Sequence, residues 1–108
     1  MGWTGWRDAR EGRSEFRGEA GNYELIDRQG RSYIGRQSEG GDRIGAHIRK
    51  APRSFVEVRF LRDHDGSECG RERRERDIIR RRKGDDVQLR NKIAASQSDR
   101  CSARSKRR

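Results

Sequence analysis

The sequence between residues 23 and 34 reads YELIDRQGRSYI and predicts a β-hairpin. Two short apolar runs, 23–26 and 32–34, flank the segment Asp27-Arg28-Gln29-Gly30. That segment has Asp at its start and Gly at its end, which is typical of a turn. Apolar runs on both sides of a turn indicate two antiparallel strands. We therefore predict a strand–turn–strand unit over residues 22–36.

A short helix is expected after this hairpin. Asp42 is a residue type that caps helix N-termini, and Pro52 cannot continue a helix. Between them, a spacing of four residues places two pairs on neighbouring helical faces: Ile44 with Ile48, and Arg43 with His47. This pattern predicts a helix over residues 42–50.

A third strand and a second helix follow. Residues 54–61 read SFVEVRFL, and their density of Phe, Val and Leu predicts a strand. Residues 68–82 mix Glu and Arg at helical spacings and predict a helix that turns only Ile78 and Ile79 toward the sheet. The resulting order is β-β-α-β-α. It corresponds to an α/β (α+β) fold with a small three-stranded antiparallel or mixed sheet flanked by helices.

The composition leaves room for one small domain. The chain has 108 residues, of which 28% are hydrophobic and 43% are charged, so a large core is excluded. We divide the chain into a lead-in segment over 1–20, a domain over 21–94 and a basic tail over 95–108. The tail is dominated by Ser and Arg, and we expect it to be disordered.

The apolar runs and the cysteines bear on the compartment. No apolar run approaches the roughly 18 residues of a membrane span, and the start of the chain has no stretch of the signal-peptide type. Cys69 and Cys101 are too few to suggest a disulfide framework or a zinc site. These features predict a cytoplasmic protein without membrane contact.

The charge predicts a nucleic-acid partner. The formal net charge is +10, and 24 of the 28 basic residues are Arg. Arg suits phosphate recognition because its planar guanidinium donates two hydrogen bonds at once. We expect contacts to the phosphate backbone of DNA through Arg and Lys. Charged helix faces that only contact solvent are the alternative explanation.

Five sequence elements then occur in a fixed order. They are Gly21-Asn22-Tyr23, Tyr33-Ile34-Gly35, Arg43, His47, and Glu75 followed by Ile78-Ile79. Their order and spacing resemble the GIY-YIG nuclease domain over roughly residues 21–94. In that family a hairpin joins a Gly-x-Tyr strand to a Tyr-Ile-Gly strand. An Arg eight residues later precedes a His by one helical turn, and a later helix carries a Glu before an aliphatic pair.

The resemblance implies a metal-dependent endonuclease that hydrolyses DNA phosphodiester bonds, with six site residues: Tyr23, Tyr33, Arg43, His47, Glu75 and Asn91. Tyr23 would act as general base or orient the attacking water, with Tyr33 beside it, and Arg43 would hold the scissile phosphate. Glu75 would ligate a divalent cation, expected to be Mg²⁺, as Lewis acid. The role implied for His47 is a hydrogen bond to a tyrosine or to the phosphate, and Asn91 stands where many members carry a late Asn.

Several of these residues also have a purely structural explanation. Tyrosines on strands commonly serve packing, and a helix histidine is commonly a surface residue. Glu75 competes with Glu68 and Glu72 on the same predicted helix. His64 lies between two aspartates, where a hydrated loop is a simpler explanation than a metal site. Asn22 replaces the aliphatic residue usual in the family, so its amide needs a hydrogen-bond partner if it is buried.

Two other classes of function stay open. The first is a non-catalytic, basic nucleic-acid-binding module on the same fold. The second is a partly disordered basic protein that folds on a partner, which the low apolar content favours. Glu75 favours the nuclease, because a protein that only binds phosphate has little chemical need for a carboxylate there.

Overall fold

The computed structural model describes residues 2–63 and 68–84. Its elements in chain order are β1 (Arg7–Asp8), α1 (Ala9–Phe16), β2 (Gly21–Asp27), β3 (Ser32–Gln37), α2 (Arg43–Lys50), β4 (Phe55–Arg62) and α3 (Glu68–Gly84). Within these ranges the strands form one antiparallel sheet in the order β1-β4-β2-β3. The α+β class is confirmed, with the hairpin, the third strand and both helices where the sequence predicts them.

The N-terminal segment contributes two elements that the sequence did not predict. β1 pairs with β4, and α1 begins after Asp8, whose carboxylate accepts a hydrogen bond of 3.1 Å from the amide of Arg10. Phe16 is buried at the end of α1, and its ring stacks on Phe60 with 4.8 Å between the centroids. The sheet therefore has a fourth strand beyond the three predicted. The segment 1–20 also contributes a capped helix, whose Phe16 ring enters the core.

The turn between β2 and β3 is held by Asp27. One carboxylate oxygen accepts hydrogen bonds from the amides of Gln29 at 2.9 Å and Arg31 at 2.8 Å. The other oxygen accepts from Nε of Arg31 at 2.9 Å. Gly30 has a φ of +80°, which favours glycine over residues with a Cβ. The Asp and the Gly of the predicted turn thus serve different purposes, hydrogen bonding and backbone geometry.

The two faces of the sheet differ in chemistry. The apolar core lies on the face that α1 and α2 cover, and it includes Phe16, Tyr23, Leu25, Ile44, Ile48, Val58 and Phe60. Tyr23 lies directly opposite Gly35, two residues from Tyr33, so both tyrosines belong to this face as predicted. The opposite face is covered by α3 and includes Asn22 and Glu24, both fully buried.

α3 packs on the sheet differently from the prediction. Ile78 and Ile79 are only half-buried, and Arg71 is the buried residue of this helix. With few apolar side chains available, α3 contacts β2 and β3 mainly through hydrogen-bonded polar groups.

The variant Asp27→Asn tests the turn. Burial acts to raise the pKa of Asp27, but hydrogen bonds from Arg31 and Gln29 outweigh it and hold that pKa below its ordinary value. A lowered folded-state pKa stabilises the fold above the unfolded-state pKa of about 3.9, and this stability is lost as pH falls through the folded-state pKa. We expect the variant to lose about 1–2 kcal/mol of unfolding free energy at pH 7, measured by urea unfolding.

The same variant should also show a smaller loss of stability than the wild type when the pH is lowered from about 5 to 2. Asp77→Asn is the matched control, since the Asp77 side chain is 70% exposed and should leave the unfolding free energy nearly unchanged at either pH. Identical acid dependence in the wild type and Asp27→Asn would show that this turn does not depend on the carboxylate.

Candidate active site

Tyr23 crosses the outer strand of the sheet. It lies in β2, and a Cβ placed on Gly35 of β3 would overlap the Cζ and Oη atoms of the tyrosine. The ring of Tyr23 therefore passes over the backbone of β3 at the one position where no side chain stands in its way. Because β3 is the outer strand, the hydroxyl reaches the edge of the sheet although the residue is only 2% exposed. This contact gives the glycine of Tyr33-Ile34-Gly35 a physical function.

His47 meets the hydroxyl of Tyr23 from α2. The two groups are 3.0 Å apart, from Nε2 of His47 to Oη of Tyr23. The ring of Tyr33 also packs against the imidazole, with 4.4 Å between the ring centroids. α2 is held in place by Asp42, which caps it by accepting from the amide of Gly45, and by the buried side chains of its apolar face. The predicted contact between His47 and a tyrosine is present.

Arg43 is the first residue of α2 and lies one helical turn before His47. Its side chain is exposed, and it makes no ion pair or hydrogen bond with any part of the chain that the structure describes. Its positive charge nevertheless acts to lower the pKa of both Tyr23 and Glu75. Arg43 is thus a cation close to the tyrosine and the glutamate, with its guanidinium available to an external anion.

Glu75 approaches from the opposite face of the sheet. It lies on α3, its side chain is 15% exposed, and it forms an ion pair with Arg36 of β3. Burial is the main cause that raises its pKa above the ordinary value. Arg36 and Arg43 act to lower that pKa, and the negative charge of Glu72 acts to raise it. The carboxylate of Glu75 is therefore only partly compensated by the cations around it.

The hydroxyl of Tyr23 is strongly perturbed. Burial is the largest cause that raises its pKa far above the ordinary value of a tyrosine. Electrostatic interactions with Tyr33 and with Glu75 raise this pKa further. Arg43 and Arg36 oppose this effect without cancelling it. The phenol is therefore protonated at neutral pH, so it can donate its hydrogen to Nε2 of His47 while its oxygen accepts another.

A buried hydrogen-bond network fixes α3 against the sheet. The amide nitrogen of Asn22 donates to the carbonyl oxygen of Arg71 at 2.8 Å, and its oxygen accepts from Nε of Arg74 at 3.0 Å. Both arginines also bind the buried carboxylate of Asp63, which Arg74 approaches to 2.7 Å. The partner that the sequence demanded for a buried Asn22 amide is thus present. The network includes Arg74, which directly precedes Glu75, and so fixes the part of α3 that carries Glu75.

A second buried carboxylate lies farther along the same face. Glu24 is fully buried and accepts hydrogen bonds from Oγ of Ser32 at 2.6 Å and from Nε of Arg82 at 2.8 Å. Arg59 approaches its other oxygen to 2.7 Å. No sequence signal distinguished Glu24 from the other acidic residues, because a fully buried charge in a strand depends on partners 8, 35 and 58 positions away.

The two N-terminal tryptophans cover this cluster from the outside. The guanidinium carbon of Arg59 lies 4.2 Å from the ring centroid of Trp3 and 4.9 Å from that of Trp6. Cation–π attraction of this kind favours a partly desolvated arginine. Trp3 and Trp6 therefore stabilise Arg59 in its pair with Glu24 and take no part in the site at Tyr23.

Among the three glutamates of α3, Glu75 is the one that binds Arg36 and whose charge acts on Tyr23, whereas Glu68 is exposed. Asn91 and His64 lie outside the described residues. Sequence reasoning missed Arg36, which directly follows Gly35 and is one of 24 arginines in the chain. The sequence feature that could have identified Arg36 as a site residue is its position directly after the Tyr-Ile-Gly motif.

The donor atoms limit what kind of metal ion the site can hold. Within the described residues, no group of three or more His, Cys, Asp or Glu side chains is placed to hold a metal. Glu75 offers a single carboxylate. This fits Mg²⁺, which keeps several waters and is commonly held by one or two carboxylates together with substrate phosphate. It does not fit a site built from protein ligands alone.

The chain was compared with known proteins. No family model matches it, and no curated protein or solved structure matches it significantly. In the ranges that the structure describes, no helix combines the length and apolar character needed to cross a membrane. The geometry of the site therefore carries the functional conclusion.

The variant Gly35→Ala tests the passage of Tyr23 over β3. The added methyl group would overlap the tyrosine ring, so either the ring or the strand must move. We expect a loss of about 1–3 kcal/mol in unfolding free energy, typical of overpacking, measured by chemical denaturation. Gly84→Ala is the control, because a Cβ there meets nothing within 4 Å. Equal stability of Gly35→Ala and the wild type would contradict this packing.

Proposed function

We propose that this chain is a metal-dependent endonuclease that hydrolyses phosphodiester bonds of DNA. The observation that supports the proposal is the contact of Tyr23 and Tyr33 with His47, beside Arg43 and Glu75, whose charges act on the pKa of Tyr23. They come from four elements and span 52 positions of sequence. A chance occurrence of the motifs gives no reason for such an arrangement. The resemblance to the GIY-YIG nuclease domain supports the same reaction.

Arg43 is suited to hold the scissile phosphate. Hydrolysis of a phosphodiester concentrates negative charge on the phosphoryl oxygens in the transition state, and a guanidinium stabilises that charge. Arg43 is charged at every working pH and is exposed at the edge where the other groups lie. A phosphate bound to it would lie close to both Tyr23 and Glu75, whose pKa values already respond to its charge.

Tyr23 and His47 are suited to position the attacking water and take its proton. The neutral phenol can accept a hydrogen bond from water while it donates its own hydrogen to Nε2 of His47. As the water oxygen bonds to phosphorus and the bond from phosphorus to the leaving oxygen breaks, a proton can pass to Oη of Tyr23 while the phenolic proton passes to His47. The leaving alkoxide takes up a proton from solvent. Tyr33 restricts the imidazole by packing on its face.

Glu75 is suited to hold the divalent cation. When bound there, the cation supplies Lewis-acid stabilisation of the phosphate charge and of the leaving oxygen. Glu75 is largely buried, and its negative charge acts on the pKa of Tyr23. Preorganised groups of this kind lower the barrier because they need little rearrangement during the reaction.

A second function is supported by a different observation. Glu75 is paired with Arg36, so its carboxylate is engaged by the protein itself. A basic module that binds DNA through phosphates without cutting it would keep that pair permanently. The net charge of +10 suits both functions, and a comparison of cleavage with binding separates them.

Cleavage of supercoiled plasmid tests the proposed reaction. We expect the wild type to convert plasmid to relaxed or linear DNA in Mg²⁺ and to do nothing in EDTA. Glu75→Gln should lower the rate at least about 100-fold and bind DNA as tightly as the wild type or more tightly, because it removes a negative charge that faces phosphate. Tyr23→Phe should also lose rate while it remains folded.

Glu68→Gln is the matched control for cleavage. It makes the same chemical change on the same helix at an exposed position, and it should cleave like the wild type. Equal cleavage by the wild type and Glu75→Gln would mean that the activity does not come from this site. DNA binding without any cleavage in Mg²⁺ would leave the binding module as the function.

The salt dependence of DNA binding tests Arg43. Each phosphate contact adds about −0.9 to the slope of log affinity against log salt concentration. Arg43→Gln should therefore weaken binding at low salt and make the slope shallower by about one unit, with little dependence on sequence. Arg49→Gln is the control on the same helix, because Arg49 is paired with Asp42. An unchanged slope in Arg43→Gln would exclude this arginine from phosphate binding.

A further inference from the structure

Arg36 stands between the two halves of the site. It follows Gly35 in β3 and lies opposite Asn22 in the strand register, so its side chain belongs to the face that α3 covers. Its guanidinium forms the ion pair with Oε1 of Glu75. The backbone of Arg36 is fixed by strand pairing, whereas its side chain is 35% exposed.

The pair between Arg36 and Glu75 differs from the other ion pairs of α3. Asp63 and Glu24 are almost completely buried and each binds two arginines, which makes them permanent parts of the packing. Glu75 is more exposed, and one arginine contacts it. Within the described residues, its carboxylate is therefore held by fewer cations, and less deeply, than those of Asp63 and Glu24.

A guanidinium and a metal ion cannot occupy the same carboxylate oxygen. Resting on the proposed function, we propose that Arg36 is a displaceable counter-charge: it holds Glu75 when no cation is bound, and it turns to the substrate phosphate when a divalent cation takes its place. Arg36 is then a positioning residue that couples two events. When the cation binds Glu75, Arg36 is released and becomes a second guanidinium available to phosphate, in addition to Arg43. Conversely, when phosphate binds Arg36, the carboxylate of Glu75 becomes available to the cation.

Binding of Mn²⁺ to the full chain without DNA tests this proposal. Free Mn²⁺ is measured by electron paramagnetic resonance for the wild type, Arg36→Gln, Arg36→Lys, Arg49→Gln and the double variant Arg36→Gln/Glu75→Gln. Arg36→Gln should bind Mn²⁺ about tenfold more tightly, because a competing unit charge has been removed at contact distance. Arg36→Lys should stay close to the wild type, since it restores the charge, and Arg49→Gln should equal the wild type. The double variant should lose the increase in Mn²⁺ affinity that Arg36→Gln shows.

A measurement on the wild type covers the case in which Arg36→Gln does not fold. The Nε–Hε signal of Arg36 in a nitrogen–proton correlation spectrum should shift as Mg²⁺ is added, and it should stay in place in NaCl of equal ionic strength. A static Arg36 signal in Mg²⁺, or folded Arg36→Gln with unchanged or weaker Mn²⁺ affinity, would overturn the proposal.

Neither measurement uses cleavage, so this proposal and the proposed function can fail separately. Tighter Mn²⁺ binding by Arg36→Gln in a chain that never cuts DNA would support the counter-charge and refute the nuclease. Cleavage that needs Mg²⁺ and Glu75, with a Mn²⁺ affinity that does not depend on Arg36, would support the nuclease and refute the counter-charge.

Discussion

The hydrogen bonds that Asn22 makes with α3 are the interaction on which the site depends. α3 has too few buried apolar side chains to be fixed by hydrophobic contact, and its buried residue is Arg71. Asn22 binds the backbone of Arg71 and the side chain of Arg74, and Asp63 binds both guanidinium groups. Hydrogen bonds are directional, and a buried polar group left without a partner is costly, so they fix the helix rotation more narrowly than apolar packing would. Glu75 follows Arg74 directly and is placed by that rotation.

The position of the site at a sheet edge follows from the same constraint. Tyr23 and Tyr33 belong to the apolar face, whereas Arg36 and Glu75 belong to the polar face. Groups on opposite faces of a sheet can meet only where the sheet ends, so the strand that carries Gly35 has to be the outer one. Gly35 completes the arrangement by letting the tyrosine ring pass over that strand to the edge.

The local parts of this arrangement could be predicted from sequence, whereas the long-range polar parts could not. The turn at Asp27 and the cap at Asp42 act on neighbouring amides, so their signals lie within a few residues. α1 was missed because few apolar residues mark it, and its stability comes from Phe16 packing on Phe60, 44 positions away. α3 could be predicted as a helix, but its polar packing depends on Asn22 and Asp63. The sequence of the helix itself contains no pattern that indicates that these two residues are buried.

The arginines of this chain stand in two kinds of environment, whose charge interactions respond differently to salt. Those bound to Asp63 and Glu24 replace part of the apolar core that the composition lacks, because buried pairs with several hydrogen bonds are screened little by ions. Arg43, by contrast, is exposed, and the attraction to phosphate that we propose for it would weaken as salt rises. Arg36 lies between these two groups, since it is paired with a carboxylate yet one-third exposed. An arginine of that kind can change partners at little cost in packing, and it stands at the point where the two faces of the sheet meet.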